Sequence, residues 1–166
     1  MQDLIQFATQ EITLKRHELI KNCGTTDTNL YYVVRGSVRI FIINKTAEHT
    51  IRLGYQGDFI TALDSFISEK PSAMGIQAMK NTALKIIPKS QIQPLIKNHP
   101  ERWIKMLETL LLQQVEREQD LLAATPQERY CRVLERSPKL FQEIPNRYIA
   151  NYLRMSPETL SRLKKS

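Results

Sequence analysis

Four side chains near the C-terminus, Glu158, Ser161, Arg162 and Lys165, recur at spacings of three and four, which places them on one face of a helix. Their chemistry suits the major groove of DNA. An arginine can donate two hydrogen bonds to a guanine, a glutamate can accept from a cytosine amino group, and a serine can reach a base or a phosphate. Arg147, Arg154, Lys164 and Lys165 are then expected phosphate contacts, which supply affinity without sequence information. The alternative is an ordinary helical hairpin with a solvated basic face. No nucleophile–base pair, carboxylate pair or metal-ligand spacing stands out in the chain, so no enzymatic activity is expected. Cys23 and Cys131 have no CxxC spacing, which argues against a disulfide framework or a zinc site. His17, His49 and His99 could ligate haem, but a lone histidine is more often a surface or satisfied residue, and no cofactor is expected.

Such a face exists only if two helices hold it. Ile149 and Leu153 lie four apart on one helical face, and Ala150 is small enough to let a second helix approach. Ser156 can cap the following helix through its hydroxyl, and Pro157 suits the first helical position. Leu160 and Leu163 then point back at the first helix. Cap, small residue and inward leucines agree on a helix-turn-helix, with Pro145 starting its first helix and the second running to the end of the chain. Upstream, Gln127–Arg136 reads as helix until Ser137-Pro138.

Charge follows the same division. The chain carries +7, and residues 126–166 alone carry +5 against −2 for residues 99–125 and +4 for residues 1–98. A dense basic segment suits a polyanionic partner such as double-stranded DNA.

A long helix is predicted ahead of this segment. Pro100 suits its start, Glu101 its first turn, and no glycine or proline interrupts it before Pro126. Ile104, Leu107, Leu111, Val115 and Leu122 form one stripe, widened by Trp103, Met106, Leu110 and Leu121. At ~1.5 Å per residue the helix is roughly 35–40 Å long. Either it crosses the strands as a core helix or it pairs with a second copy, and its length favours the homodimer. From Glu11 to Ile87 the texture is short and β-like, with strands expected at Leu30–Val34, Val38–Ile43, Thr50–Leu53 and Ala83–Ile87; this spacing suggests a sandwich or barrel. No run approaches the ~18 apolar residues of a membrane span, so no membrane partner and a cytoplasmic location are expected.

Taken together, these segments resemble the Crp/Fnr superfamily of bacterial transcription regulators over nearly the whole chain. Leu30–Val38 resembles the strand and turn entering the family's jelly-roll sensor, and Gln56–Ile60 the stretch before its phosphate-binding cassette. The long helix is similar to the family's dimerisation helix, and Ser156–Arg162 to its recognition helix. The segments Glu128–Tyr130 and Pro157–Arg162 look most like small members from Bacteroidetes-type bacteria. The resemblance implies an α+β protein with a jelly-roll sensor (1–98), a long dimerisation helix (99–125) and a helix-turn-helix domain (126–166). It implies a DNA-binding regulator responding to a small-molecule effector of unknown identity, with RNA polymerase as a further candidate partner. Ser156 and Pro157 join the DNA-binding set, and Thr61, Ala62, Leu63, Ser72 and Ala73 fall where the family's effector pocket lies.

The chain also departs from the pattern. The family's Gly-Glu-Leu turn reads Thr61-Ala62-Leu63, its Arg-Ser pair falls on Ser72-Ala73 or Pro71-Ser72, and no arginine occurs between Arg52 and Arg102. Lys70 or Lys80 could stand in, but neither offers a bidentate fork, so the sensor is expected to be degenerate and cyclic AMP is not the expected ligand. An Fnr-type cluster needs four cysteines. The recognition helix has Pro157 at the family's first arginine position, with Glu158 and Arg162 matching its glutamate and second arginine. The leading helix is expected to be absent or reduced, the wing compressed to about Pro138–Ile144, and the chain truncated after the recognition helix. An alternative is a ligand-binding or protein-interaction module that has lost DNA binding.

Overall fold

Apolar side chains alternating along short extended segments shape the first of two compact units, which ends at Pro100; the second begins at Glu101. The structure, a computed structural model, describes residues 2–165. A short 3-10 helix over Gln2–Phe7 leads into β1 (Gln10–Leu14), β2 (Leu19–Lys21), β3 (Asn29–Arg35), β4 (Ser37–Asn44), β5 (Ala47–Tyr55) and β6 (Phe59–Ile60). Helix α1 (Leu63–Ser68), β7 (Gly75–Ala78), β8 (Thr82–Pro88) and α2 (Lys89–Asn98) complete the unit. The strands form two four-stranded antiparallel sheets, ordered β1-β8-β3-β6 and β2-β7-β4-β5.

Every second residue of the central strands faces the space between the sheets. Tyr31 and Val33 on β3, Leu84 and Ile86 on β8, Val38 and Ile40 on β4, and Ile76 on β7 meet there with Ile60 and Ala62. This jelly-roll is the predicted fold. The four expected strands lie within β3, β4, β5 and β8. The other strands and both helices went unread. Segments of two to five residues carry too little periodicity, and α2 is interrupted in sequence by Pro94.

The second unit is helical throughout its regular structure: α3 (Pro100–Leu122), α4 (Pro126–Arg136), α5 (Leu140–Glu143), α6 (Asn146–Tyr152) and α7 (Pro157–Leu163). Helix α3 stops where Thr125 starts the next helix. Its hydroxyl accepts from Glu128 N at 3.1 Å, while the Glu128 carboxylate accepts from Thr125 N at 3.3 Å and Ala124 N at 3.0 Å. That reciprocal cap satisfies the donors a helix start leaves open. Where a wing was expected, at Pro138–Ile144, the chain makes the single turn α5, and no strand occurs among the described residues of this unit. The last helix does not reach the chain end as expected. Lys164 N bonds to Leu160 O and Lys165 N to Arg162 O, a tightened turn that closes α7 at Leu163.

At the β3–β4 hairpin, Gly36 has φ +94°, and a Cβ there would lie 2.5 Å from Thr82 Oγ1 and 2.6 Å from Asn81 O. The Thr82 hydroxyl is tied to Ser37 N at 3.2 Å, so it cannot move aside cheaply. Gly36→Ala should therefore cost at least about 2 kcal/mol, combining left-handed strain with overpacking. Urea unfolding should show a lower midpoint at unchanged slope.

Candidate nucleic-acid interface

The helix-turn-helix is built from its buried side inward. Ile149, Leu153 and Leu160 are fully buried, Ala150 nearly so, and α6 and α7 pack through them. Ser156 caps α7 by accepting from Thr159 N at 3.1 Å, with Pro157 at the first helical position. Helix α6 cannot continue into α7 because Arg154 takes φ +56°, and Met155 N returns to Ala150 O at 3.0 Å. A left-handed residue is a common way to end a helix, although glycine usually supplies it.

A helix end of this kind leaves carbonyls that need donors. Two arginines from other helices supply them. Arg117 of α3 donates Nη2 to Tyr152 O, and Arg129 of α4 donates Nε to Leu153 O at 2.8 Å and Nη2 to Arg154 O at 3.5 Å. Arg129 also donates Nη1 to Ala123 O at 3.0 Å, so one side chain holds the α3–α4 link and the α6–α7 turn together. Beside Arg117, the fully buried carboxylate of Asp120 accepts from Arg132 Nε at 3.2 Å and Arg136 Nη1 at 3.1 Å. Burial pulls the Arg117 pKa down, opposed by Tyr152 and Asp120, whereas the hydrogen bond to Asp120 raises that of Arg136. Both stay charged at any physiological pH. This network has no place in the sequence analysis, and Arg117 no role there. The available signal was Arg117 and Asp120 at i, i+3, on the helical face that also carries Met106 and Leu110.

On the outer face, Ser156, Pro157, Glu158, Ser161, Arg162 and Lys165 are all exposed. The Glu158 carboxyl is held below its usual range by its own backbone N–H, the Ser156 hydroxyl and Arg162, so it is an acceptor at neutral pH. Arg147 and Arg154 are exposed, Arg147 with its guanidinium 4.4 Å from the Tyr148 ring centre. Lys164 turns toward the start of α6, donating to Asn146 Oδ1 at 2.9 Å, with its ammonium 5.8 Å from the Phe141 ring centre. The predicted residues are thus exposed, and Ser156 and Lys164 have internal partners as well.

In the first unit, the expected effector residues fall around α1. Thr61 Oγ1 donates to Asn29 O at 2.9 Å, Ala62 is fully buried, and Leu63 begins the helix. Ser65 Oγ accepts from Asp27 N at 2.8 Å and donates to Lys70 O at 2.7 Å. Ser72 is buried, with its hydroxyl accepting from Met74 N at 2.9 Å, whereas Ala73 is exposed. Lys70 is exposed and Lys80 half-buried. A further cation that the sequence analysis missed reaches this loop. Lys21 is buried, and its ammonium donates to Met74 O at 2.7 Å, Asn22 O at 3.0 Å and Ser72 O at 3.4 Å.

A family profile described as the cyclic nucleotide-binding domain matches residues 11–99. The chain belongs to the cyclic nucleotide-binding domain family. The search among curated proteins found no match. Among solved structures, FixK2 from Bradyrhizobium japonicum is similar at a TM-score of 0.79 and 18% identity, over 94% of this chain and 82% of that one. A CRP/FNR-family transcriptional regulator from Thermus thermophilus gives 0.67 and 17%, over 93% and 83%. The catabolite activator protein of the same organism gives 0.59 and 23%, over 99% and 80%. The cyclic nucleotide-binding domain here thus sits in a chain that shares its fold with these structures over 93–99% of its length.

Arg129→Met removes the donors to Leu153 O and Ala123 O while keeping the side chain's apolar stem. Loss of charged hydrogen bonds to carbonyls that lie against other helices should cost about 2–3 kcal/mol. A thermal melt should show the drop. An unchanged midpoint would mean that water replaces the arginine at the turn.

Proposed function

We propose that the protein is a homodimeric, DNA-binding transcription regulator whose cyclic nucleotide-binding domain acts as the sensor. The observation that carries this reading is the recognition helix itself. Leu160 anchors α7 with no exposure, the opposite face presents Glu158, Ser161 and Arg162 outward, and Lys165 is exposed in the turn that closes the helix. In this reading Arg162 reads a guanine, Glu158 a cytosine amino group, and Arg147, Arg154, Lys164 and Lys165 hold phosphates.

The dimer reading has its own support. On α3, Ile104, Leu111, Val115 and Leu122 are 53%, 64%, 41% and 83% exposed. At 3.6 residues per turn they share one stripe with the half-buried Leu107, roughly opposite the face that carries Met106, Leu110, Arg117 and Asp120. An apolar stripe of that length on a solvated helix fits a second copy of the same helix. Two charged substitutions, Leu107→Glu with Leu111→Glu, should give monomers or insoluble protein. Sedimentation showing a wild-type monomer at micromolar concentration would contradict the dimer.

Cyclic AMP is not the effector in this reading. The Lys21 ammonium has its donors directed at three carbonyls, and the Ser72 hydroxyl accepts from Met74 N, so neither offers an arginine-like fork to the loop between α1 and β7. A phosphodiester desolvated there without a charged partner would lose roughly 10²-fold or more in affinity. Calorimetry should detect no micromolar binding of cyclic AMP.

Mobility-shift assays on genomic fragments test the DNA reading. Arg162→Ala should lose about 1–3 kcal/mol of base discrimination per half-site with fold and dimer intact. Lys165→Ala should weaken binding to all sequences about equally and lower the salt slope by about one per site. Retained discrimination in Arg162→Ala would show that α7 does not read bases. The one-turn α5 in place of a wing, and Pro157 in place of an arginine, favour a second reading: a ligand-binding or protein-interaction module without DNA binding. Absence of any shift with the wild-type dimer would support it.

A further inference from the structure

We propose that Arg117 is a positioning residue for DNA recognition, fixing the recognition helix to the dimerisation helix and so setting the half-site spacing that the dimer accepts. The inference rests on the DNA-binding reading above. Arg117 sits five residues before the end of α3, 6% exposed, with its guanidinium 3.5 Å from the centre of the Tyr152 ring and Nη2 on Tyr152 O. Tyr152 ends α6 and stands four residues before the cap of α7. A single planar group therefore fixes both a distance and a rotation between α3 and the helix-turn-helix.

Stability alone does not account for the choice of residue. Burying a guanidinium costs desolvation that a well-packed apolar side chain would avoid. Its Nη1 is buried without a hydrogen-bond partner, a further cost. What the arginine adds is direction, through a stacked plane and an aimed donor. Asp120, one turn later, repeats the arrangement against α4 through Arg132 and Arg136. The two contacts lie on the side of α3 away from the exposed apolar stripe. Helix α3 can therefore pair with a second copy while its other face holds the reading head.

The test uses the full chain and duplexes selected by the wild-type protein from a random-sequence library. The half-sites are then moved apart or together by one and two base pairs, and binding is followed by fluorescence anisotropy. Wild type should prefer its selected spacing by about tenfold or more, because a rigid dimer must distort DNA to reach a shifted site. Arg117→Gln should remain dimeric and keep its base discrimination at the best spacing, but its spacing preference should fall below about threefold. Arg117→Lys keeps the charge without the planar stack and should behave alike. Arg132→Gln, on a partly exposed side chain, serves where the buried variants do not fold, and should shift the same way. An equal loss of affinity at every spacing, or an unchanged preference in all variants that fold, would overturn the proposal and leave these residues a purely structural role. Failure of the wild-type protein to select any duplex would instead refute the DNA-binding reading, and this inference with it.

Discussion

The buried carbonyl end of helix α6 is the constraint around which the second unit is organised. A helix ending inside a protein leaves acceptors that must find donors, and here the turn must also stay tight enough for α7 to pack on α6. Glycine would end the helix cheaply, but the chain places Arg154 in the left-handed region and brings donors from elsewhere. Arg117 and Arg129 reach the turn from two different helices, which makes its geometry a property of four helices at once. The position of the outward residues on α7 follows from that turn. A helix of seven residues has too few contacts of its own to hold an orientation.

The first unit shows a related economy of polar groups. Its sandwich core is apolar between the sheets, while the loop carrying α1 is knitted by hydroxyls and carbonyls: Thr61 to Asn29, Ser65 to Asp27 and Lys70, Ser72 to Met74. Lys89, at the start of α2, adds a clamp by donating to Phe66 O at 2.8 Å, so α1 is closed at its C-terminal end by a residue of the next helix. Lys21 does the same for the segment after α1. Lys21 and Lys89 are both used in this region to satisfy carbonyls.

Much of this was legible in the sequence, for identifiable reasons. Strands β3, β4, β5 and β8 are long enough to show β-branched and aromatic runs, and Ser156-Pro157 announces a helix start by capping chemistry alone. The inward positions Ile149, Leu153 and Leu160 followed from spacing and are fully buried. Strands of two to five residues were not legible, because a period of two needs several repeats. Helix α5 was hidden by an expectation of a wing. Side chains that act through long-range contacts were the hardest to see. Arg117 and Arg129 lie 35 and 24 residues from the carbonyls they cap, and Lys21 lies 53 residues from Met74. Local pattern carries no information about such pairs.

The central claim is that two copies of α7, held by their α3 helices, read DNA with two-fold symmetry. Hydroxyl-radical footprinting of the protein on an operator recovered from genomic fragments tests it most directly. The account predicts two equal protected patches on symmetric half-sites, centred about one helical turn, roughly 34 Å, apart. A single unsymmetrical patch, or protection that does not depend on sequence, would contradict it.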